Sequence, residues 1–306
     1  MKLPIKIKLP EHFLEKEVRC GYSVTEKAKK IWAVELDLLA EFDRVCRKHD
    51  INYQIFAGTL LGAVRHEGFI PWDDDVDVCL LRGDYEKLLS VSSEFKHPYF
   101  LQTPHNDSRF FSTHSRLRNS ETTGAIKGQH SIFYNNGIYI DVFVLDEFTE
   151  SNLRYKIQSL LIRIITCILT IRKGNGEYGS SFFKRLLKHM LGFCFRMVSD
   201  EALLCLRDLM VKIYNKNEKQ DGRVGLITHC NCFTEKYWLQ KSEVTNSKRY
   251  KFENIEVSGP VDYDSVLKRP YGKYMEYPPL QDRGQWHNGK ILFEPEIPYK
   301  EFLKDR

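Results

Sequence analysis

The sequence predicts an α+β fold: a small mixed sheet with flanking helices, then a mainly helical region and an irregular C-terminal region. Apolar residues recur at helical spacing over residues 23–50, as on one face of an amphipathic helix. Short apolar runs over 52–57 and 137–145 are typical of buried strands. Because the predicted helices and strands are intermixed in an αββαβββ-like order, we expect one small sheet with helices against a face.

Each element is predicted from its periodicity and from the turn residues beside it. Ser23 followed by Glu26 matches a capping box, and Asp84 is a candidate N-cap. The predicted helices of the first half are 23–50, 60–66 and 84–95, and the predicted strands are 52–57, a strand starting at Asp75, 99–102, 109–119 and 137–145.

The composition changes twice along the chain, which suggests three regions: 1–150 as the catalytic core, 151–245, and 246–306. Residues 151–198 hold nine Lys or Arg and a single acid, Glu177. Apolar segments there predict helices over 159–171 and 182–198, and a third helix over 201–216. Aromatics and prolines dominate after residue 248, so the last region is expected to be mostly irregular and packed on the core.

The overall composition excludes several classes of protein. With 306 residues, 42% of them hydrophobic, the chain can bury a substantial core. A net charge of +5 without a compact basic block gives no reason to expect nucleic acid as a partner. Eight scattered cysteines are typical of reduced thiols in a cytoplasmic protein. We find no secretory signal and no apolar stretch of membrane-spanning length.

Four carboxylates crowd one short segment: Asp73, Asp74, Asp75 and Asp77. Their mutual repulsion requires a cation, and a divalent metal is the usual one. The alternation from Asp75 to Val78 fits a strand, which would place Asp75 and Asp77 on one face. Two oxygen ligands held at a sheet edge predict a Mg²⁺ or Mn²⁺ site, as used in phosphoryl transfer.

Two further features strengthen this prediction. Gly58 and Thr59 end an apolar segment, where a tight backbone and a small hydroxyl can approach a phosphate. Asp141 stands alone in a core-like strand, and an unpaired buried carboxylate is costly. Coordination to the same metal would explain it, whereas the alternative is an aspartate satisfied by backbone N–H groups or by an arginine.

At this point the chain resembles a known family. The blocks GTLLGAVRHEGFIPWDDDVDV, Gly83-Asp84-Tyr85 and GIYIDVFVLD are similar to those of the LicD phosphotransferases, within the nucleotidyltransferase superfamily and close to the fukutin-related group. The resemblance is dense over residues 50–146 and looser over 260–279. Val144 departs from it, since the family more often has proline there. Residues 151–245 carry no signature that we can place.

The resemblance implies metal-dependent transfer of a phospho-alcohol, phosphocholine first, from a CDP-linked donor such as CDP-choline to a sugar hydroxyl of a glycan or its lipid-linked precursor. Asp75, Asp77 and Asp141 would hold Mg²⁺ or Mn²⁺. Asp141 could also accept the proton of the incoming hydroxyl, with Asp73 and Asp74 as the next candidates. For these last two, a solvated acidic turn is an equal alternative.

Several residues are candidates for the donor site, each with a structural alternative. A phosphate could be met by Arg65 or by a clamp of Arg116 and Arg118, which would share a strand face. Trp72 could stack on a base or sugar, or simply belong to the core. The remaining candidates, which could close over the donor, are Arg283 and His287.

The basic, apolar stretch 153–198 has two interpretations. Its composition suits helices lying on an anionic membrane surface, where the lipid-linked acceptor would be found. Alternatively, the helices pack on the core and their basic faces are solvated. Either arrangement is compatible with a cytoplasmic protein, in the first case peripheral on the inner face of the membrane.

Three other functions compete with phospho-alcohol transfer. The same fold could transfer a nucleoside monophosphate to a small molecule and release pyrophosphate. It could also be inactive and serve as a membrane-associated adaptor, although all three predicted metal ligands are intact. A glycosyltransferase with an Asp-x-Asp motif fits Gly58-Thr59 and Asp141 poorly.

Overall fold

The computed structural model describes residues 3–126, 134–147, 149, 151–173, 197–215, 222–228, 238–284 and 291–302. The helices are α1 (Glu26–Lys48), α2 (Ala57–His66), α3 (Arg82–Ser90), α4 (Asn152–Lys173), α5 (Asp200–Lys212), α6 (Lys241–Thr245), α7 (Tyr263–Tyr271) and α8 (Tyr299–Phe302). The strands are β1 (Glu17–Arg19), β2 (Tyr22–Val24), β3 (Gln54–Ile55), β4 (Asp77–Leu81), β5 (Tyr99–Gln102), β6 (Ser115–Asn119), β7 (Thr123–Ile126), β8 (Ile138–Glu147), β9 (Arg223–Gly225), β10 (Leu239–Gln240), β11 (Ser247–Phe252), β12 (Ile255–Pro260) and β13 (Ile291–Glu294).

A mixed sheet of seven strands forms the centre of the molecule, and the predicted α+β class is confirmed. β8 pairs in parallel with β4 and antiparallel with β6, while its last residues pair with β9. β3 and β5 extend the sheet beyond β4 and β6, and β10 extends it beyond β9. β8, which carries Asp141, therefore lies between β4, which begins with Asp77, and β6, which carries Arg116 and Arg118.

The longest helix of the core, α1, begins later than predicted. Ser23 lies in β2, and Thr25 is the N-cap, its side chain accepting from the backbone N–H of Ala28. The predicted capping box at Ser23 is therefore wrong, because the β1–β2 hairpin occupies that residue. The apolar face of α1, including Leu36 and Phe42, is fully buried in the main core, so the helix is held by packing against the sheet.

Three other predictions of local structure are corrected. Asp84 does not cap α3, because that helix already begins at Arg82; its carboxylate accepts from the backbone N–H of Asn52. The strand predicted over 109–119 is limited to β6, and the preceding residues form a loop. Strand β4 begins at Asp77, so Asp75 lies in the loop before it.

The C-terminal region is more regular than predicted. It contains the β11–β12 hairpin, helix α7 and strand β13, which pairs with β7. Phe252 and Leu267 are buried in the main core, so this region does pack on the rest of the chain. Its strands are only four to six residues long, and they gave no alternation long enough to detect.

Helices α4 and α5 form an antiparallel hairpin with a core of its own. The Gln158 amide donates to the carbonyl of Met210 at 2.8 Å, and Arg172 pairs with Asp200 at 2.8 Å near the other end of α4. The predicted helix over 182–198 lies almost entirely outside the described residues. Among the helices that the structure describes, none has both the length and the apolar character needed to cross a bilayer.

Candidate active site

Strand register brings together residues that are far apart in sequence. Asp77 on β4 is the neighbour of Asp141 on β8, and Asp141 is in turn the neighbour of Arg116 on β6. Residues paired across strands lie about 5 Å apart and face the same side of the sheet. Asp77, Asp141 and Arg116 therefore form a row across three strands, which we call the charged row.

The start of β4 is fixed by its contacts with the α2 turn. The backbone N–H of Asp77 donates to the Thr59 hydroxyl at 2.8 Å, and the N–H of Phe56 donates to the carbonyl of Asp77 at 2.9 Å. A Cβ at Gly58 would lie 2.8 Å from a carboxylate oxygen of Asp73. The Thr59 hydroxyl thus anchors the end of the acidic loop, and a side chain at position 58 would displace the Asp73 carboxylate.

The acidic loop of residues 73–77 places negative charge against negative charge. Burial, followed by the charges of Asp75, Asp141 and Asp73, raises the pKa of Asp77 well above its usual range. A cation bound beside these carboxylates would remove this repulsion. The loop therefore has the electrostatic character of a cation site.

A further carboxylate that the sequence analysis missed lies beside this loop. Glu35 is on α1, only 1% exposed, and its Oε2 atom has no hydrogen-bond partner among the described residues. Burial, followed by the charges of Asp74, Asp75, Asp73 and Asp77, raises its pKa strongly. Its sequence context is an ordinary amphipathic helix, so only the tertiary fold reveals it.

Asp141 has the opposite environment. His114 Nε2 donates to its Oδ1 atom at 2.9 Å and Arg116 Nε donates to the same atom at 2.8 Å. Burial alone would raise the pKa of Asp141, but the charges of His114 and Arg116 outweigh it and lower the pKa. Oδ2 accepts no hydrogen bond from the residues described and remains available to a ligand.

His114 is the second residue that the sequence analysis missed. It directly precedes β6, two residues before Arg116, and its ring packs against Phe143 at 4.7 Å. The pattern His114, Arg116, Arg118 repeats every second residue, as expected for side chains that share a strand face. That alternation could have indicated the histidine.

Arg118 lies deeper in the protein than a phosphate clamp requires. It is 1% exposed, its Nε donates to Gln102 Oε1, and its Nη1 donates to the carbonyl of Gly137 at 2.6 Å. Burial and the charge of Arg116 lower its pKa to about 10. Arg116 and Arg118 lie over the same ring, that of Tyr139, at 3.9 and 4.7 Å.

Two arginines and two aromatic rings form the rim of the site. Arg65 Nη1 donates to the carbonyl of Tyr274 at 2.7 Å, and Arg283 Nη1 donates to the carbonyl of Cys20 at 2.8 Å. Both guanidinium groups lie over the rings of Trp72 and Tyr277. Trp72 is 8% exposed and is therefore largely a core residue. His287 is outside the described residues.

A cavity of about 450 Å³ opens between the acidic loop and the C-terminal region. It is lined by residues of α2, the acidic loop and the segment after α7, among them Gly58, Arg65, Trp72, Asp73, Asp75, Asp77, Lys273, Tyr274, Glu276, Tyr277 and Asp282. Most of the predicted site residues of the first 80 positions thus share one cavity with residues from the far end of the chain.

The residues present fit a divalent cation in part. Asp77 and Asp141 are neighbours on one face, and the orphaned oxygen of Glu35 lies buried near the same loop. Among the residues that the structure describes, no three His, Cys, Asp or Glu side chains converge as a complete metal-binding group. Of the three predicted ligands, strand register therefore brings Asp77 and Asp141 together. Asp75 stays a prediction.

The chain is similar to known proteins over the region that contains this site. The sequence model of the LicD/FKTN/FKRP nucleotidyltransferase domain matches residues 50–157. The lipopolysaccharide cholinephosphotransferase LicD of Haemophilus influenzae is 27% identical over 82% of this chain and 92% of its own length. An uncharacterised protein of Rickettsia typhi is 38% identical over 24% of this chain, and one of Rickettsia prowazekii is 41% identical over 19%.

The matched region contains the acidic loop and all members of the charged row, and the Haemophilus relative extends the likeness to most of the chain. The domain match and this relative together support the resemblance seen in the sequence. Residues 50–157 are a nucleotidyltransferase domain of the LicD/FKTN/FKRP family.

Proposed function

We propose that this protein transfers phosphocholine from CDP-choline to a sugar hydroxyl of a cell-surface glycan or its lipid-linked precursor, with bound Mg²⁺ or Mn²⁺. The observation that carries the proposal is the charged row, beside a cavity lined by Gly58 and the acidic loop. The Haemophilus relative is a lipopolysaccharide cholinephosphotransferase, which supports the substrate class.

In the proposed reaction, the acceptor oxygen forms a bond to the phosphorus of phosphocholine, the bond from that phosphorus to the bridging oxygen breaks, and CMP leaves. Asp75, Asp77 and Asp141 would hold the cation, which supplies charge neutralisation at the diphosphate. Asp141 is already bonded to His114 and Arg116, and its lowered pKa makes it a weak proton acceptor. Asp73 or Asp74 is therefore the better candidate for the base.

The charge of the cavity favours choline over ribitol or glycerol. Besides Asp75 and Asp77, which are assigned to the metal, the acids Asp73, Glu276 and Asp282 line it, against the two cations Arg65 and Lys273. The tyrosines Tyr271, Tyr274 and Tyr277 lie on the same wall. A quaternary ammonium is attracted both by excess negative charge and by aromatic rings, whereas a neutral polyol gains neither.

The test is CMP release from a panel of CDP-choline, CDP-ribitol and CDP-glycerol, with Mg²⁺ and a glycan acceptor. We expect release from CDP-choline first, its loss with a chelator, and its loss in Asp75→Asn and Asp77→Asn. Glu67→Gln is a matched control, since Glu67 is an exposed acid of the neighbouring turn that pairs with Lys251. Activity in both Asn variants equal to that of the control would overturn the site.

A parallel reaction with nucleoside triphosphates separates the competing chemistry. Pyrophosphate release with transfer of a nucleoside monophosphate to a small molecule, and no CMP release from any CDP-alcohol, would replace phosphotransfer by nucleotidyl transfer. The absence of both reactions in the presence of Mg²⁺, with donor binding retained, would indicate an inactive fold.

A further inference from the structure

Helices α4 and α5 leave a line of large apolar side chains uncovered. On α4 these are Leu153, Ile157, Leu160 and Leu161, and on α5 and its C-cap they are Leu206, Leu209 and Ile213; each is between 42% and 69% exposed. The spacings within each helix are those of one helical face. We call these seven residues the apolar stripe. Isolated exposed leucines are ordinary, but a contiguous set on two packed helices marks an interaction surface.

The stripe is separate from the face that holds the hairpin together. The opposite side of α4 buries Ile162 and Leu169, and α5 buries Leu204 and Val211 against them and against Phe111. Since Gln158 bonds the carbonyl of Met210, the exposed residues of α4 lie at the same end of the antiparallel hairpin as Leu209 and Ile213. The stripe is thus concentrated at one end of a hairpin whose own core is already complete.

The charge around the stripe is positive. Helix α4 contains no Asp or Glu, and Arg154, Lys156 and Arg163 are exposed beside its apolar residues. The acids of α5 are matched within the protein: Asp200 pairs with Arg172, and Glu201 and Asp208 pair with His105. A surface that is apolar and basic, with its acids neutralised, is complementary to an anionic lipid headgroup layer.

We infer that the apolar stripe docks on an anionic phospholipid surface, with its leucines at the level of the acyl boundary and the basic residues among the headgroups. This goes beyond the proposed transfer reaction and does not depend on it. It also places the contact on α4, within the stretch 153–198 that the sequence suggested, and on α5, which follows that stretch.

The hairpin is connected to the active site through the loop that carries His114. Arg207 of α5 donates to the carbonyl of Ser112 at 3.4 Å, and Phe111 packs in the core of the hairpin. If the hairpin binds the membrane, the loop of Phe111, Ser112 and His114 connects the charged row to the membrane-bound helices. This geometry suits an acceptor that is itself anchored in the membrane.

Vesicle flotation tests the inference. The full chain is mixed with vesicles of phosphatidylcholine alone or of phosphatidylcholine with phosphatidylglycerol, at low and high salt. We expect binding to the anionic vesicles, weakened by salt, and a drop of about tenfold or more in the triple variant Leu160→Ser, Leu161→Ser, Leu209→Ser. Val18→Ser is the matched control, because Val18 is 70% exposed on β1, far from the hairpin in sequence.

Two other results would overturn the inference. Sedimentation could show that the wild type self-associates, that the triple variant does not, and that neither binds vesicles; the stripe would then be an interface between copies of this chain. Alternatively, wild type and triple variant could both stay monomeric and unbound, in which case the chain itself or another protein covers the stripe. Leu153→Ser with Ile157→Ser is a second variant for use if the triple variant fails to fold, judged by its circular dichroism.

Discussion

Asp77 and Asp141 are neighbours on adjacent parallel strands, yet their surroundings differ completely. The carboxylate of Asp77 is half-buried among other carboxylates, and its pKa is raised. The carboxylate of Asp141 meets His114 and Arg116 within hydrogen-bond distance, and its pKa is lowered. The negative charge around Asp77 therefore needs a bound cation, whereas the charge of Asp141 is balanced by Arg116 and His114 of the protein itself.

This difference assigns separate roles to the two aspartates. A side chain whose charge is opposed by its neighbours is retained for what it binds, since it makes the empty protein less stable. A side chain whose charge is fully matched stabilises the fold and holds a defined orientation. Substitution of the two residues by asparagine should therefore affect activity alike but stability in opposite directions.

The largest effect is expected from Asp77→Asn. Loss of this carboxylate should reduce kcat/KM for CMP release by about a thousandfold, or roughly 4 kcal/mol of transition-state stabilisation. The free energy of unfolding without metal should stay unchanged or rise, because repulsion in the acidic loop is relieved. Steady-state kinetics measures kcat/KM, and urea denaturation measures the free energy of unfolding. A variant that is both unstable and active would reverse this assignment.

Asp141→Asn should instead destabilise the protein. Asparagine keeps the Oδ1 acceptor but removes the charge, which leaves Arg116 buried without a counter-charge; breaking such a pair costs about 3–5 kcal/mol. The same urea series gives the result. A matched control is Asp43→Asn, since Asp43 is another buried acid with arginine partners, Arg47 and Arg249. If Asp141→Asn were as stable as wild type while Asp43→Asn was not, the charge balance argued for β8 would be incorrect.

Arg118→Met separates a structural arginine from a phosphate clamp. The substitution leaves Gln102 Oε1 and the carbonyl of Gly137 without their buried donor, which should cost about 2–3 kcal/mol. The KM for the CDP-alcohol should change little. Arg44→Met provides the comparison, because Arg44 forms an exposed pair with Glu41 and exposed pairs contribute below about 1 kcal/mol. A large rise in KM with unchanged thermal stability would show that Arg118 contacts the donor.

The parts of the site that could be predicted from the sequence are the local ones. Four aspartates beside an apolar run are visible without any structure, and Asp141 stands out as an acid within a strand. The partners of these residues depend on distant contacts: Glu35 reaches the acidic loop from α1, and His114 reaches Asp141 across two strands. Neither has a local signal as strong as a run of acids.

The same dependence on distant contacts explains the errors in the predicted fold. The long periodic helix α1 was predicted, but its start moved from Ser23 to Thr25 because a hairpin precedes it. The hairpin β11–β12 was missed because Lys, Arg and Tyr dominate β11, whose residues are largely exposed. Alternation of apolar and polar residues is weak in a strand of this kind, and its pairing with β12 is set by the hairpin as a whole.

The smallest effect concerns the rim, where the His66 ring lies against Trp72 and against Tyr277 of the C-terminal region. His66 Nε2 accepts from Arg65 Nε at 3.0 Å, and burial, followed by the charges of Arg65 and Arg19, lowers its pKa from 6.5 to about 4. Between these values the unfolded chain binds the proton and the folded chain does not, so stability should fall as the pH drops from 6.5 towards 4. His66→Gln keeps an acceptor and removes the titration; because His66 is partly exposed, the difference should be on the order of 1 kcal/mol at most. Melting curves of both proteins across this pH range should converge at pH 7 and separate at pH 5, and parallel curves would mean that another group controls the acid loss.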